Sequence, residues 1–317
     1  MKAAVYNQYG APEVLHLEEI IKPTPKDDEI LIQIKATAVN SGDVRLRKAD
    51  PFAVRFIFGL FKPRIHILGS VYSGVIERVG KEVKNYKTGD QVFGHTDMKF
   101  GGYAEYICVP VNSSIALKPE SISHLEAATI PFGGVTALHF IQKANIQKGQ
   151  KVLIVGALGA VGSAALQLAK SLGANVTGVC STNQIDLVKS IGADHVIDYT
   201  KEDFTKNGEI YDVIYDSVNA ISVSRSLKSL SPQGVMILSS AGMPEMIQGK
   251  WISKTSKIKV LTGVIRHSAS AMAYLKDLIE AKKYKPLVDR SYPLEQLADA
   301  HAYVEKGSKK GGVSIII

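Results

Sequence analysis

The stretch VLIVGALGAVG, residues 152–162, decides the fold of this chain. An apolar, β-branched run passes directly into a turn that contains Gly156, Gly159 and Gly162, and helical spacing follows over 161–172. The pattern predicts a strand, a tight turn and a helix in immediate succession. In that arrangement Gly159 lets the main chain approach a pyrophosphate, Gly162 lets the helix pack on the strand, and the helix N-terminus faces the phosphates. The stretch therefore predicts a dinucleotide site.

Strands and helices alternate on the C-terminal side of this turn. Apolar, β-branched segments separated by helical ones indicate a parallel sheet covered on both faces, and the right-handed crossover rule makes it a doubly wound α/β sheet of Rossmann type. The expected strands are 151–156, 175–180, 194–199, 211–218, 234–240 and 258–264, with a helix at 183–191.

The first third of the chain has a different rhythm, with short alternating segments punctuated by Gly and Pro. We expect antiparallel strands at 2–6, 29–39, 73–80, 89–94 and 101–110, and helices at 123–130, 133–146, 268–283 and 294–306. The terminal segment GVSIII needs a pairing partner, and the N-terminal β unit is the expected one. This predicts one domain over 1–120 and 265–317, and a dinucleotide-binding domain over 121–264.

Composition restricts the class of protein. The 317 residues, 45% of them hydrophobic and 21% charged, are ordinary for a globular protein of two domains. Two cysteines are too few for a disulfide framework, which favours a cytoplasmic setting. We expect no membrane span, since the apolar runs are short. The net charge of +8 is spread along the chain, so a solvated surface is favoured over a nucleic-acid interface.

The end of the second strand of the parallel sheet bears on the choice of cofactor. NAD selectivity usually needs an acidic residue there, whereas this chain has Ser181, Thr182 and Asn183. Two hydroxyls and an amide can donate to a 2′-phosphate, and no carboxylate in the loop repels it. The loop therefore predicts NADPH as the cofactor. Positive charge for the phosphate would come from elsewhere, with Arg45 and Lys310 as candidates.

The ordered segments of the chain resemble the medium-chain dehydrogenase/reductase superfamily, in its zinc-independent quinone oxidoreductase and enone (alkenal) reductase branch. The resemblance covers essentially the whole chain, and it implies a GroES-like β-rich catalytic domain, a Rossmann domain and a cleft between them. It is carried by residues 38–50, 67–94, 101–110, 126–140, 152–174 and 192–200.

The resemblance also implies individual cofactor contacts. Thr136 would lie near the nicotinamide, Ala160 and Val161 would supply N–H groups to the pyrophosphate, and Ser181, Thr182 and Asn183 would form the 2′-phosphate loop. Tyr199 would pack beside that phosphate or the adenosine, Arg45 would point towards the cofactor, and Ser239 and Ser240 would lie beneath the nicotinamide ribose. The sequence departs from the family pattern at Ser70, usually Asp, and over 307–312, where the usual His and final Lys are missing.

Residue types argue against a catalytic zinc. The zinc-containing alcohol dehydrogenases have a Cys in the segment corresponding to 40–43 and a Gly-His-Glu near 69–71, whereas this chain has Asn40-Ser41-Gly42-Asp43 and Gly69-Ser70-Val71. We therefore expect no metal, and we interpret His66 and His95 as surface or cleft-lining residues.

A nicotinamide without metal or flavin passes hydride best to a carbon activated by conjugation. We therefore expect a quinone or an α,β-unsaturated carbonyl as substrate, and no general acid is named. The alternatives are an enoyl-thioester reductase, for which Arg55, Lys62 and Arg64 would bind phosphate, and a nucleotide-sensing regulatory or RNA-binding protein. The Phe-rich segment 51–65 is interpreted as core or a packed loop, or as a substrate wall; a membrane-surface helix is less favoured. An apolar edge strand at 258–264 predicts a homodimer.

Overall fold

The computed structural model describes residues 1–265 and 267–317, which form two compact units. Unit 1 comprises Met1–Phe132, His267–Glu280 and Pro286–Ile317, and unit 2 comprises Gly133–Arg266 and Ala281–Lys285. The sequence placed the corresponding divisions at 120/121 and 264/265.

In chain order, the strands of the described residues are β1 Lys2–Val5, β2 His16–Glu19, β3 Glu29–Val39, β4 Val71–Val79, β5 Gln91–His95, β6 Tyr106–Pro110, β7 Ser114–Leu117, β8 Lys151–Val155, β9 Asn175–Cys180, β10 His195–Asp198, β11 Tyr211–Asp216, β12 Leu230–Leu238, β13 Lys259–Leu261, β14 Val288–Pro293 and β15 Gly312–Ile316. The α-helices are α1 Ser41–Lys48, α2 Val54–Phe58, α3 His124–Ala144, α4 Ala160–Ser171, α5 Ile185–Ser190, α6 Val223–Ser226, α7 Met243–Thr255, α8 Ala269–Glu280 and α9 Leu297–Glu305.

Unit 2 contains a parallel six-stranded sheet in the order β10-β9-β8-β11-β12-β13. The chain first adds strands on one side of β8 and then on the other, so the strand order reverses between β8 and β11. Apolar side chains such as Leu153, Ile214 and Met236 are fully buried in its core. The predicted Rossmann sheet is confirmed, and a sheet of this topology binds ligands at the carboxyl ends of its strands beside the point of reversal.

Unit 1 is built on a seven-stranded sheet in the order β14-β15-β3-β4-β5-β7, with β6 pairing β3. The C-terminal strand β15 pairs antiparallel with β3, where Val313 lies opposite Val39. The predicted pairing of the last strand with the N-terminal β unit is therefore confirmed. A fully buried arginine, Arg47, donates to the Gly10 carbonyl at 2.6 Å and pairs with Glu305 at 2.7 Å inside this unit.

Several predicted elements are wrong in detail. The helices expected at 123–130 and 133–146 are the single helix α3, which continues through Pro131. The strand expected over 258–264 is limited to Lys259–Leu261. In the segment 51–65 the side chains of Phe52, Phe56 and Phe61 are exposed, so the core interpretation is wrong for them. None of the described helices has the length and apolar character needed to cross a membrane.

Candidate cofactor site

The glycines of the turn after β8 are required for different reasons. Gly156 has a φ of +75°, a backbone conformation that residues other than glycine rarely adopt. A Cβ on Gly162 would lie 2.0 Å from the carbonyl oxygen of Gly156, so only glycine allows α4 to pack this closely on the strand. A Cβ on Gly159 would meet only that same oxygen, at 3.4 Å, and otherwise open space. The turn thus leaves a cradle at Gly159 that a side chain would fill.

The N-terminus of α4 opens onto this cradle. Gly159 is the N-cap residue, and its carbonyl accepts the first intrahelical hydrogen bond, from the main-chain N–H of Ser163. The first N–H groups of a helix have no acceptor within it, and here they belong to Ala160 and Val161, which are half-buried. These groups and the positive end of the helix dipole suit a pyrophosphate, so the residues present fit a dinucleotide.

The other predicted residues of unit 2 follow the carboxyl ends of neighbouring strands. Cys180 at the end of β9 lies opposite Asp198 at the end of β10, and Val155 lies opposite Asp216 on β11. The structure therefore brings the turn, the 181–183 loop, Tyr199 and the pair Ser239–Ser240 to one edge of the sheet. Their role in binding stays a prediction.

The 181–183 loop differs from the sequence interpretation. Ser181 Oγ donates to Asn183 Oδ1 at 2.8 Å, and the Thr182 hydroxyl donates to the carboxylate of Asp198. The Asp198 carboxylate also accepts from the Thr200 hydroxyl, and these hydrogen bonds lower the pKa of Asp198 to about 2. An ionised carboxylate therefore lies beside the loop, although none lies within it, and the hydroxyl protons of Ser181 and Thr182 are already engaged.

A cation that sequence reasoning missed lies at the same place. Lys201 Nζ is 3.6 Å from Asp198 Oδ2, and the Lys201 side chain is 68% exposed. The sequence places Asp198 at the end of β10, the strand beside β9 in the parallel sheet, and Lys201 shortly after it. These positions could have identified both residues as neighbours of the 181–183 loop. Lys201 places a positive charge within unit 2, whereas the cations predicted from the sequence, Arg45 and Lys310, belong to unit 1.

The ends of β11 and β12 are held by hydrogen bonds to the main chain. The Asp216 carboxylate accepts from the N–H groups of Val218 and Ala220. Ser240 Oγ donates to the Ser217 carbonyl at 2.9 Å and Ser239 Oγ to the Asp216 carbonyl at 3.3 Å. Since both serine protons are engaged, a ribose would meet these hydroxyls as acceptors.

The remaining predicted contacts lie in varied surroundings. Thr136 is buried on α3, whereas Tyr199 is 64% exposed, so Tyr199 is not a core-packing residue. Arg45 is exposed on α1, and Lys310 is half-buried, with its N–H donating to Asp289 Oδ2 at 3.0 Å. Arg45 and Lys310 belong to unit 1, not to the unit that carries the turn.

Unit 1 also contains the positions at which the zinc-containing relatives have ligands. Asn40 Nδ2 donates to Ser70 Oγ at 3.5 Å, and the Asn40 N–H donates to Asp43 Oδ2 at 3.0 Å. Burial raises the pKa of Asp43 to about 6. These side chains therefore bond to one another and cap α1.

The glycine turn at the reversal point of a parallel sheet, together with a GroES-like sheet, defines a dinucleotide-binding oxidoreductase. Comparison with known proteins agrees. The family model described as "Alcohol dehydrogenase GroES-like domain" matches residues 26–120, and the one described as "Zinc-binding dehydrogenase" matches residues 191–313. The chain belongs to the medium-chain dehydrogenase/reductase superfamily, in its quinone oxidoreductase branch.

Three similar proteins illustrate the placement. A 2-methylene-furan-3-one reductase of Solanum lycopersicum is 34% identical over 99% of this chain and 79% of its own length. An NADPH-dependent alkenal/one oxidoreductase, chloroplastic, of Arabidopsis thaliana is 31% identical with the same two coverages, 99% and 79%. The Escherichia coli quinone oxidoreductase, solved in complex with NADPH, has a TM-score of 0.84 at 26% identity and covers 100% of both chains.

Proposed function

We propose that this chain is an NADPH-dependent oxidoreductase that transfers hydride to a quinone or an α,β-unsaturated carbonyl without the help of zinc. The observation that carries the proposal is the cradle at Gly159 at the N-terminus of α4, where the strand order of the sheet reverses. The names of the similar proteins support the same cofactor and the same class of substrate.

The reaction class follows from the side chains in unit 1. Bound NADPH supplies a hydride from its nicotinamide ring. Asn40 and Ser70 are neither thiolate nor imidazole, so these positions do not build the zinc site that polarises a plain ketone in the zinc branch. A conjugated acceptor spreads the developing charge to a distant oxygen, where hydroxyl or N–H donors are sufficient. Quinones and enones meet that requirement, whereas saturated ketones do not.

Selectivity for NADPH is assigned to unit 2. Lys201, beside the 181–183 loop, attracts the 2′-phosphate, and the exposed ring of Tyr199 packs against the adenosine or that phosphate. Because Asp198 is held by Thr182 and Thr200 and lies near Lys201, its charge is partly compensated. Arg45 and Lys310 of unit 1 remain candidate contributors of positive charge.

The chain offers a matched pair of variants for this assignment. Lys201 pairs with Asp198, and Lys206 pairs with Asp203 at 3.8 Å; both pairs have i,i+3 spacing and exposed lysines. We expect K201M to raise KM for NADPH by roughly tenfold, the cost of about 1.4 kcal/mol, while KM for NADH is unchanged. K206M should alter neither value. Equal effects of K201M on both cofactors would contradict the assignment.

The activity itself is tested with the chelator-treated full-length protein. NADPH oxidation is followed with a quinone, an enal, an enone and the corresponding saturated ketone. We expect turnover with the conjugated acceptors and none with the saturated ketone, and deuterium from labelled NADPH should appear at the β-carbon of the reduced enone. No turnover with any acceptor, or a requirement for added zinc, would refute the proposal.

An enoyl-thioester reductase is the second candidate. The guanidinium of Arg55 lies over the rings of Tyr9 and Phe52, at 4.8 and 5.2 Å, and Lys62 and Arg64 are exposed nearby in sequence. These cations suit the phosphates of coenzyme A. A KM for an enoyl-CoA far below that for the same acyl group on N-acetylcysteamine would favour this candidate, and equal values would exclude a phosphate contribution.

Three further assignments belong to the proposal. We assign the catalytic domain to 1–120 and 265–317 and the cofactor domain to 121–264. The short edge strand β13, with Val260 and Leu261 only half-buried, supports a homodimer, which light scattering coupled to gel filtration would test. Two free cysteines, Cys108 and Cys180, support a cytoplasmic location, which imaging of the tagged protein in its own cells would test.

A further inference from the structure

Two histidines and an aspartate come together in unit 1. His95 ends β5, Asp97 follows two residues later, and His267 precedes α8. The imidazole rings of His95 and His267 are stacked, with centroids 3.5 Å apart and planes inclined by 12°. His95 is 5% exposed and His66 is exposed, so the surface alternative of the sequence interpretation fits His66 and not His95.

The ligand atoms of this cluster have the spacing of a metal site. Asp97 Oδ1 lies 3.5 Å from His95 Nδ1 and 3.3 Å from His267 Nδ1, and the three residues can present ligand atoms that all lie within 4.8 Å of one another. In a tetrahedral zinc site with bonds of about 2.0–2.1 Å, neighbouring ligand atoms are about 3.3 Å apart. Two of the three edges are therefore close to the spacing of such a site.

The protonation states also suit a cation. The N–H of Asp97 donates to His95 Nδ1 at 2.8 Å, so that nitrogen carries a lone pair, which is the form that binds metals. A bound cation would replace this N–H at the nitrogen. Asp97 supplies a carboxylate oxygen next to this nitrogen and next to His267 Nδ1. Imidazole nitrogen with carboxylate oxygen is a ligand set for divalent first-row metals.

We propose that His95, Asp97 and His267 form a binding site for a divalent transition-metal cation such as Zn²⁺, with at least one coordination position left for water. The site goes beyond the proposed function and departs from the expectation that the chain binds no metal. Its residues also differ from the positions 40–43 and 69–71 used by the zinc-containing relatives. The competing explanation is a simple ion pair, in which protonated His267 is bound by the Asp97 carboxylate.

Metal binding is tested on the full-length, tag-free protein after chelator treatment. Equilibrium dialysis against Zn²⁺ followed by elemental analysis should give one equivalent per chain, and Co²⁺ should produce the visible absorption of a site with nitrogen and oxygen ligands. We expect D97N and H267Q each to weaken Zn²⁺ binding by at least about tenfold. Even replacing a residue that only hydrogen-bonds to a metal ligand typically lowers metal affinity by about that much.

The matched control is H16Q. His16 Nε2 lies 2.9 Å from Glu18 Oε1 in an exposed His–carboxylate pair, so its loss should leave the affinity for Zn²⁺ unchanged. Less than one equivalent of Zn²⁺ in the unaltered protein, or equal affinities in D97N and H16Q, would overturn the proposal in favour of the ion pair.

A measurement on the unaltered protein avoids the folding risk of replacing the buried His95. Zn²⁺ should shift the imidazole ¹⁵N resonances of two of the eight histidines, and assignment should identify them as His95 and His267. Shifts confined to other histidines would refute the site. NADPH turnover by the metal-free protein is a separate measurement, so failure of this inference and failure of the proposed function are distinguishable.

Discussion

Replacing two glycines of the turn after β8 by alanine should separate folding from cofactor binding. In G162A the new Cβ would lie 2.0 Å from the Gly156 carbonyl oxygen, at least 1 Å closer than the 3.0 Å below which real Cβ contacts are essentially never found. Either the turn or α4 must move, and we expect a loss of about 3 kcal/mol in the free energy of unfolding, the upper end of overpacking costs. For a unit of this size that lowers Tm by roughly 6–12 °C.

In G159A the opposite balance holds. The backbone there has φ −63° and ψ 163°, which alanine adopts without strain, and its Cβ makes only an ordinary contact at 3.4 Å. Stability should rise by about 0.4–1 kcal/mol, because alanine restricts the unfolded chain. The methyl group, however, occupies the cradle. Loss of one charge-assisted hydrogen bond from the pyrophosphate, about 1.5–3 kcal/mol, weakens NADPH binding roughly 10- to 100-fold.

The assay is thermal unfolding of both variants together with titration of NADPH by its fluorescence. The expected result is a stable G159A that binds NADPH poorly and a destabilised G162A. If G159A bound NADPH as tightly as the unaltered protein, the pyrophosphate would not lie at this turn. If G162A melted at the normal temperature, the close packing of α4 on the turn would be wrong.

The remaining predictions concern the buried charges of unit 1. R47M should lower the free energy of unfolding by about 3 kcal/mol in urea titrations, because it leaves Glu305, the Gly10 carbonyl and His301 without their common donor. A loss below about 1 kcal/mol, which is typical of an ion pair on the surface, would contradict this prediction. Burial lowers the pKa of His301 to about 3. Below pH 6.5 the unfolded state therefore binds a proton that the native state does not, and the free energy of unfolding falls as the pH is lowered, by up to about 1.4 kcal/mol per pH unit. Burial raises the pKa of Asp43 to about 6 in the native state, above the 3.8 of an unperturbed aspartate. On acidification Asp43 therefore takes up its proton first in the native state, and its effect on stability is opposite to that of His301 between pH 4 and 6. D43N should therefore steepen the loss of stability on acidification, and H301Q should reduce it. If the free energy of unfolding had the same pH dependence in both variants and in the unaltered protein, these assignments would be refuted.

Much of the architecture was predictable because local pattern and burial agree. The bounds of β3 and β9 follow from their alternating or continuous apolar residues, and both were predicted without error. The pairing of β15 with the N-terminal sheet followed from a simpler requirement, that a terminal apolar strand needs a partner. α3 was harder, since a proline usually ends a helix. Here Ala128, Ile130 and Val135 are buried on both sides of Pro131, and their packing outweighs the cost of the lost hydrogen bond.

The residues that sequence reasoning missed are brought together by tertiary structure. Asp198 and Thr182 are 16 positions apart and meet only because β10 lies beside β9 in the sheet. His95 and His267 meet because the chain returns to unit 1 after the parallel sheet is complete. Neither contact produces a periodic pattern in the sequence. The adjacency of β9 and β10, once predicted, was nevertheless enough to suggest a contact between Thr182 and Asp198.

The positions that bear zinc ligands in related dehydrogenases connect this fold to its proposed chemistry. Asn40 bonds to Ser70 and, through its N–H, to the buried Asp43, so the segment keeps a structural role in capping α1 while its side chains are neither thiolate nor imidazole. Under the proposed function, activation of the acceptor must then come from the conjugation of the substrate itself, because neutral hydrogen bonds stabilise a developing oxyanion less than a metal ion does. It follows that the ratio of rates for an enone and its saturated ketone, measured with the same protein and cofactor, reports directly how much of the activation the substrate supplies.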